Sequence, residues 1–197
     1  MRFIKSNILG CMIIENDIIC DGRGMFVKNF NSDIFKKNNI HENFSESYYS
    51  RSQKGVIRGM HFQTKPHETS KLIFCSEGEI LDIFLDLRYN SETFGQFESI
   101  KLTRENGIHI YIPRGIAHGF QVLSENATVH YLQSEVYNKS SDTGILWNSF
   151  GMNWPIKNPI ISERDQEFIT LEEYKKLIVN FFLNNSNRPI FLLIIYS

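Results

Sequence analysis

Residues 107–120 read Gly-Ile-His-Ile-Tyr-Ile-Pro-Arg-Gly-Ile-Ala-His-Gly-Phe, an apolar run and a second apolar run joined by a tight turn. Ile108–Ile112 is short and rich in β-branched and aromatic residues, as a strand requires. Pro113-Arg114-Gly115 is a turn signal, because proline presets one backbone angle and glycine permits the next. Gly119–Leu123 then begins another strand. The same grammar extends in both directions. Turn clusters at Asp21-Gly22-Arg23-Gly24, Glu77-Gly78-Glu79 and Asn106-Gly107 punctuate Lys71–Cys75, Ile80–Leu87 and Ala127–Tyr137. Many short strands at regular spacing predict an all-β sandwich or barrel.

Two helices are expected. A short one lies near Ser32–Asn38. A longer one opens with the capping box Thr170-Leu171-Glu172-Glu173 and runs through Phe182, keeping Leu171, Tyr174, Leu177, Ile178, Phe181 and Phe182 at helical spacing. Residues 1–169 are expected to form one domain, and 170–197 a C-terminal helix and an apolar tail. The tail, IFLLIIYS at 190–197, is expected to be buried, since an exposed apolar strand is an aggregation hazard.

The chain has 197 residues and a formal net charge of −1, which gives no electrostatic footprint for nucleic acid or a membrane surface. Any phosphate must therefore be held by a few placed cations. Cys11, Cys20 and Cys75 are odd in number and lack metal-ligand spacing, so they read as reduced residues of a cytoplasmic protein. The N-terminus is broken by charged and polar residues and does not read as a signal peptide. No apolar stretch approaches membrane-spanning length.

Two histidines stand beside glycines in β-patterned segments, where a backbone can approach a ligand closely: His61 in Gly55–Gln63 and His118 in Pro113–Phe120. His41, His67, His109 and His130 lack that context. The spacing Gly107-(five residues)-Pro113-x-Gly115-x-x-His118 resembles the second conserved motif of cupins. It implies a double-stranded β-helix, a small jelly roll with a ligand in its mouth. Metal cupins carry a His-x-His pair where this chain has His61-Phe62-Gln63. With no good third ligand visible, no metal is expected.

The wider pattern is closer still. GVIRGMHFQ (55–63), SKLIF (70–74), EILDIFLDLRYNSETFG (79–95), IPRGIAHGF (112–120) and SERD (162–165) occur in one order, preceded by DGRGMFVKNFN (21–31). Together they resemble the dTDP-4-dehydrorhamnose 3,5-epimerase family over roughly residues 8–168. That resemblance implies a cupin enzyme without metal or other cofactor, usually a homodimer. Its substrate would be a nucleotide-linked 4-keto-6-deoxy sugar used for polysaccharide or dTDP-rhamnose synthesis.

It also implies roles. His61 would be the base and Asp165 its partner, with Asp82 as the alternative orienting carboxylate. Lys71 would stabilise the enolate and Tyr131 would return the proton from the far side. Arg23 and Arg58 would hold the diphosphate and Tyr137 would stack on the nucleobase. Phe26, Lys28, Glu46, Tyr48, His118, Asp142 and Arg164 would complete the substrate-binding set.

Strand parity bears on two of these assignments. Tyr131 and Tyr137 are six apart, so one regular strand would point both to the same face. Arg58 and His61 are three apart, so both can meet one ligand only if a bulge or twist falls near Gly59.

The chain departs from the family pattern in places. Glu46-Ser47-Tyr48 stands where Gln-x-Asn is common, Lys28 and Asp142 where glutamates are, and Arg164 where a lysine is. These changes leave the proton-transfer set intact and leave the nucleotide open among dTDP, GDP, CDP and UDP. Epimerisation at a single carbon, a heptose substrate, a ketoisomerase, a metal-dependent cupin and a non-catalytic sugar-nucleotide-binding cupin stand as alternative readings.

Overall fold

The computed structural model describes residues 1–185, and the apolar tail expected at 190–197 lies outside them. In chain order the strands are β1 (Arg2–Lys5), β2 (Met12–Glu15), β3 (Ile18–Asp21) and β4 (Gly24–Val27), followed by helix α1 (Ser32–Lys37). Next come β5 (Glu46–Gln53), β6 (Ile57–Gln63), β7 (Lys71–Glu77), β8 (Glu79–Asp86) and β9 (Phe97–Thr103). The chain continues through β10 (Ile108–Ile112), β11 (Ile116–Val122), β12 (Asn126–Gln133) and β13 (Asp142–Gly144), and ends in α2 (Glu163–Gln166) and α3 (Leu171–Asn185).

The strands form a six-stranded sheet in the order β1-β2-β10-β7-β12-β5 and a five-stranded sheet in the order β13-β6-β11-β8-β9. Every pairing among these strands is antiparallel. This is the jelly roll expected from the motifs. Strands β3 and β4 stand apart as a two-stranded hairpin.

Side-chain alternation divides the apolar residues into three layers. Ile73, Ile110 and Val129 from one sheet meet Ile80, Phe84 and Phe120 from the other, and these fill the barrel at one end. Behind the five-stranded sheet, Ile57, Met60, Ile83 and Leu85 pack against Trp154 and Leu171. Behind the six-stranded sheet, Ile14, Leu72 and Tyr111 pack under Phe35 of α1. Each fully buried Phe or Leu removes enough apolar surface to contribute about 2 kcal/mol, so the barrel is held from inside and outside.

Both expected helices form. Asn31 caps α1 by accepting from Asp33 and Ile34, and the Thr170–Glu173 capping box starts α3 with reciprocal hydrogen bonds. The one-turn helix α2 was not anticipated. Its cap Ser162 accepts from the Asp165 N–H, and no apolar periodicity announces so short an element.

The last long strand corrects a second expectation. Ala127–Tyr137 was to be one strand, but β12 ends at Gln133. Gln133 pairs with the first residue of β5, Glu46, and of β7, Lys71, so beyond it the ladder is reduced to the Ser134 N–H on the Ser70 carbonyl at 3.1 Å and then ends. The parity argument linking Tyr131 to Tyr137 therefore fails.

The bulge expected near Gly59 is present. The β6–β11 register shifts between His118 and Phe120, and Gly59 has φ +136°. The extra residue lets Arg58, His61 and Gln63 share the inner face while Ile57, Met60 and Phe62 face outward. The glycines beside the two histidines serve each other rather than a ligand. A Cβ on Gly59 would lie 2.5 Å from Gly119 Cα, and one on Gly119 would lie 2.8 Å from the Arg58 carbonyl oxygen. Gly59→Ala, strained in φ as well as crowded, is expected to lower unfolding free energy by about 3–5 kcal/mol. Gly119→Ala, crowded only, is expected to cost less. Urea unfolding of the two variants tests that order.

Candidate active site

A cleft of about 390 Å³ opens between the two sheets. Alternate residues of β5 (Glu46, Tyr48, Ser50) and of β12 (Tyr131, Gln133) form one wall with Lys71 of β7. Arg58, His61 and Gln63 of β6 and His118 of β11 form the other. Tyr137, Asp142 and Arg164 close the rim. Eleven of the fourteen residues singled out in the sequence thus come to one place: ten line the cleft, and Asp165 sits directly behind His61.

His61 and Asp165 are 104 residues apart and meet at 2.9 Å, imidazole Nε2 to carboxylate Oδ1. The other oxygen, Oδ2, accepts the Gly59 N–H at 3.1 Å, so the same carboxylate grips the bulge. A neutral imidazole that donates Nε2–H to Asp165 presents the Nδ1 lone pair on the other side of the ring. Burial lowers the His61 pKa below 6.5, reinforced by Lys71 and Arg164 and opposed by Asp165. Burial works to raise the Asp165 pKa, but its bonds to His61, Gly59 and Ser162 prevail and hold it low. The pair is therefore carboxylate and free base near neutral pH.

The alternative orienting carboxylate belongs elsewhere. Asp82 meets His118 Nε2 at 2.7 Å, and burial raises its pKa against the pull of His118 and Lys71. The His118 side chain is 4% exposed and that of His61 is 29% exposed, so His61 is the imidazole that a ligand can reach. His118 and His61 are cross-strand partners, yet each gives Nε2 to a carboxylate. Among the described residues, no group of three or more His, Cys, Asp or Glu is placed to hold a metal ion.

Lys71 is buried and donates to the His61 carbonyl at 3.3 Å. Burial lowers its pKa to about 8, offset in part by Asp142 and Asp82. On the same wall, facing His61, burial holds the Tyr131 pKa well above 10, so its hydroxyl keeps its proton. Tyr48 lies flat on Tyr131 with ring centroids 4.7 Å apart. Arg164 pairs with Asp142 at 2.9 Å and sits over the Phe168 ring. Arg58 donates to Ser52 at 2.9 Å.

Three residues lie elsewhere. Arg23 and Phe26, on the β3–β4 hairpin, line a separate shallow groove, and Lys28 follows β4. The Arg23 side chain is 91% exposed and pairs only with Asp21 among the described residues. Conversely, Ser50, Gln63 and Gln133 line the cleft and were not singled out. Gln63 and Gln133 could have been found by parity, two residues beyond His61 and Tyr131.

With this geometry in view, a family model for dTDP-4-dehydrorhamnose 3,5-epimerase matches residues 5–173. The chain belongs to that family. The dTDP-4-dehydrorhamnose 3,5-epimerase of Methanothermobacter thermautotrophicus is 40% identical over 177 residues, covering 87% of this chain and 95% of the relative. A dTDP-6-deoxy-D-glucose-3,5-epimerase from Legionella pneumophila, solved in complex with dTDP-4-keto-L-rhamnose, superposes with TM-score 0.83. It is 34% identical and covers 87% of this chain and 93% of its own. A dTDP-4-dehydrorhamnose 3-epimerase from Streptomyces niveus is 32% identical over 88% of this chain and 85% of the relative. The family is one of isomerases on a cupin barrel, and the expectation drawn from the motifs is met at that level.

If His61 must be neutral and Lys71 charged, activity is lost as pH falls through the first pKa and as it rises through the second. The profile of kcat/KM against pH is then expected to be a bell with its acid midpoint below 6.5 and its alkaline midpoint near 8. Initial-rate measurements from pH 4.5 to 10 read both limbs.

Proposed function

We propose that this chain epimerises C3 and C5 of dTDP-4-dehydro-6-deoxy-glucose, giving dTDP-4-dehydro-rhamnose. One observation carries the reading: the His61–Asp165 pair stands on one wall of the cleft and the Tyr131 hydroxyl on the other. Inverting a carbon beside a ketone needs a proton removed from one face and returned to the opposite face. His61 Nδ1 takes the proton from the carbon next to C4. The C–H electron pair becomes the new C=C bond and the carbonyl pair moves onto oxygen, giving an enolate. The Lys71 ammonium stabilises that oxygen, and a buried charge does so far more effectively than one in water. The enolate then collapses as carbon takes the Tyr131 proton on the far face. Asp165 keeps the imidazole in the required tautomer and stabilises its cation.

The Streptomyces niveus relative, a 3-epimerase, favours one further reading, inversion at a single carbon. In deuterated water, label at both C3 and C5 of the recovered sugar supports the first reading, and label at one carbon supports the second. His61→Asn is expected to lower exchange and turnover by about a thousandfold or more. Asp165→Asn is expected to be severe with residual activity. Tyr131→Phe is expected to spare exchange more than net inversion. Normal exchange in His61→Asn would refute the assignment of the base.

A second copy of the chain supplies what the cleft lacks. Arg58 lines the cleft alone among the arginines assigned to a diphosphate, while Arg23 is displayed on a hairpin with Ile19 and Phe26, both 59% exposed. Beside the cleft, β5 is an edge strand, unpaired on one side among the described residues. In a homodimer the hairpin of one copy reaches the cleft of the other, bringing Arg23 and Phe26 to the nucleotide end. Three free cysteines suit a reducing, cytoplasmic setting. Mixing inactive His61→Asn with inactive Arg23→Ala protein and allowing subunit exchange is expected to restore activity through mixed dimers holding one intact site. No recovery in dimers shown to be mixed would place both arginines on one chain.

A further inference from the structure

We infer that Gln63 and Glu46 are positioning residues that set the Tyr137 loop from the two sheets, so that nucleotide affinity depends on them. The inference rests on the proposed reading, in which Tyr137 is the stacking platform for the base.

Residues 134–141 join β12 to β13, and three successive residues of this loop have a backbone group taken by a side chain from elsewhere. The Val136 carbonyl accepts from Gln63 Nε2 at 3.4 Å, the weakest of the set. The Tyr137 N–H donates to Glu46 Oε2 at 2.9 Å, and the Asn138 N–H donates to Gln63 Oε1 at 2.6 Å. Gln63 Nε2 also donates to the His67 carbonyl at 2.8 Å, which anchors the amide on its own side. Gln63 belongs to the five-stranded sheet and Glu46 to the six-stranded sheet. The loop is thus strapped to both walls of the cleft at the residue that carries the exposed tyrosine ring.

Past the strap, Asn138 closes the turn. Its Oδ1 accepts the N–H groups of Ser140 and Ser141, and its carbonyl accepts those of Ser141 and Asp142.

The residue types suit the task. Gln63 is buried and needs both a donor and an acceptor, which only a neutral amide provides in that shape. It occupies the position where metal cupins place their second histidine, and here it holds backbone instead. Glu46 needs only an acceptor. A carboxylate near a diphosphate is unfavourable in principle, and this one is turned to a backbone N–H. Tyr137 is 55% exposed, so its ring has little packing of its own to keep it in place. A loop already ordered costs less to bind; one set loose must be ordered by the ligand, which weakens affinity without touching the chemical step.

The test uses the full-length protein, with dTDP as the probe in calorimetry and turnover measured alongside. Gln63→Ala is expected to raise the dTDP Kd and the substrate KM by about tenfold while kcat changes by less than about threefold. Gln63→Glu, which keeps the acceptor and loses the donor, is expected to fall between. Glu46→Ala is expected to raise Kd, and Glu46→Gln to recover most of the loss because its amide oxygen still accepts. In a Tyr137→Ala background, Gln63→Ala is expected to cost no further affinity. In ligand-free protein, amide hydrogen exchange is expected to quicken at Asn138 in Gln63→Ala and at Tyr137 in Glu46→Ala.

Losses that add fully in the Tyr137→Ala background, or a fall in kcat at unchanged KM, would overturn the inference. So would unchanged exchange at both amides. If Gln63→Ala does not fold, the contrast between Glu46→Ala and Glu46→Gln decides. Wild-type protein that binds no dTDP refutes the proposed nucleotide, whereas wild-type binding with indifferent variants refutes the strap alone.

Discussion

One carboxylate holds the chemistry and the architecture together. Asp165 gives one oxygen to the His61 imidazole and the other to the Gly59 N–H. Strand β6 cannot present Arg58 and His61 on one face without its bulge, and the bulge leaves a backbone N–H that needs a partner away from the sheet. The short helix α2 supplies that partner from a hundred residues downstream, with Ser162 capping it so that Asp165 is aimed inward. Replacing that carboxylate disturbs a tautomer and a backbone geometry at once. The close approach of Gly59 and Gly119 completes the arrangement, since a larger residue at either would push β6 and β11 apart.

Charge inside the cleft is arranged in opposed sets. Lys71 feels Asp142 and Asp82; Asp142 pairs with Arg164; Asp82 pairs with His118. A protein of net charge −1 therefore concentrates ionisable groups in one cavity while leaving its overall field weak. Burial acts in opposite directions on the two classes of group. It lowers the pKa of His61 and Lys71 and raises that of Tyr131, so near neutral pH the imidazole is a free base while the ammonium, with its pKa near 8, and the phenol keep their protons.

Much of this was legible in the sequence. Short apolar runs between glycine turns announced the barrel, and the three-residue spacing of Arg58 and His61 demanded the bulge that Gly59 supplies. Local rules failed where the cause was not local. Tyr131 and Tyr137 do not share a strand, because β12 stops where its neighbours begin, and strand ends are set by partners distant in sequence. Helix α2 is a single turn, too short to show a period. Asp82 lies on a strand already pointing into the barrel, and nothing in its surroundings told which of two histidines it would meet; the fold gives it His118. Arg23 and Phe26 carry the family pattern, yet their hairpin lies outside the two sheets, a placement that no residue pattern along one chain reveals.

The cleft also separates two kinds of residue by the stiffness of what carries them. His61, Lys71 and Tyr131 stand on strands paired on both sides, where a substitution is felt throughout the barrel. Glu46, Tyr48, Tyr137 and the hairpin residues stand on an edge strand, a loop and a two-stranded ribbon, whose neighbours are few. Inheritance can therefore alter the handle by which a sugar is recognised while the reaction on the sugar is retained. Of the chain's own departures, Glu46, Tyr48 and Asp142 stand on edge strands and Lys28 just past the ribbon, while Arg164 alone sits beside the catalytic carboxylate, on α2. A lineage built this way changes its clientele before it changes its craft.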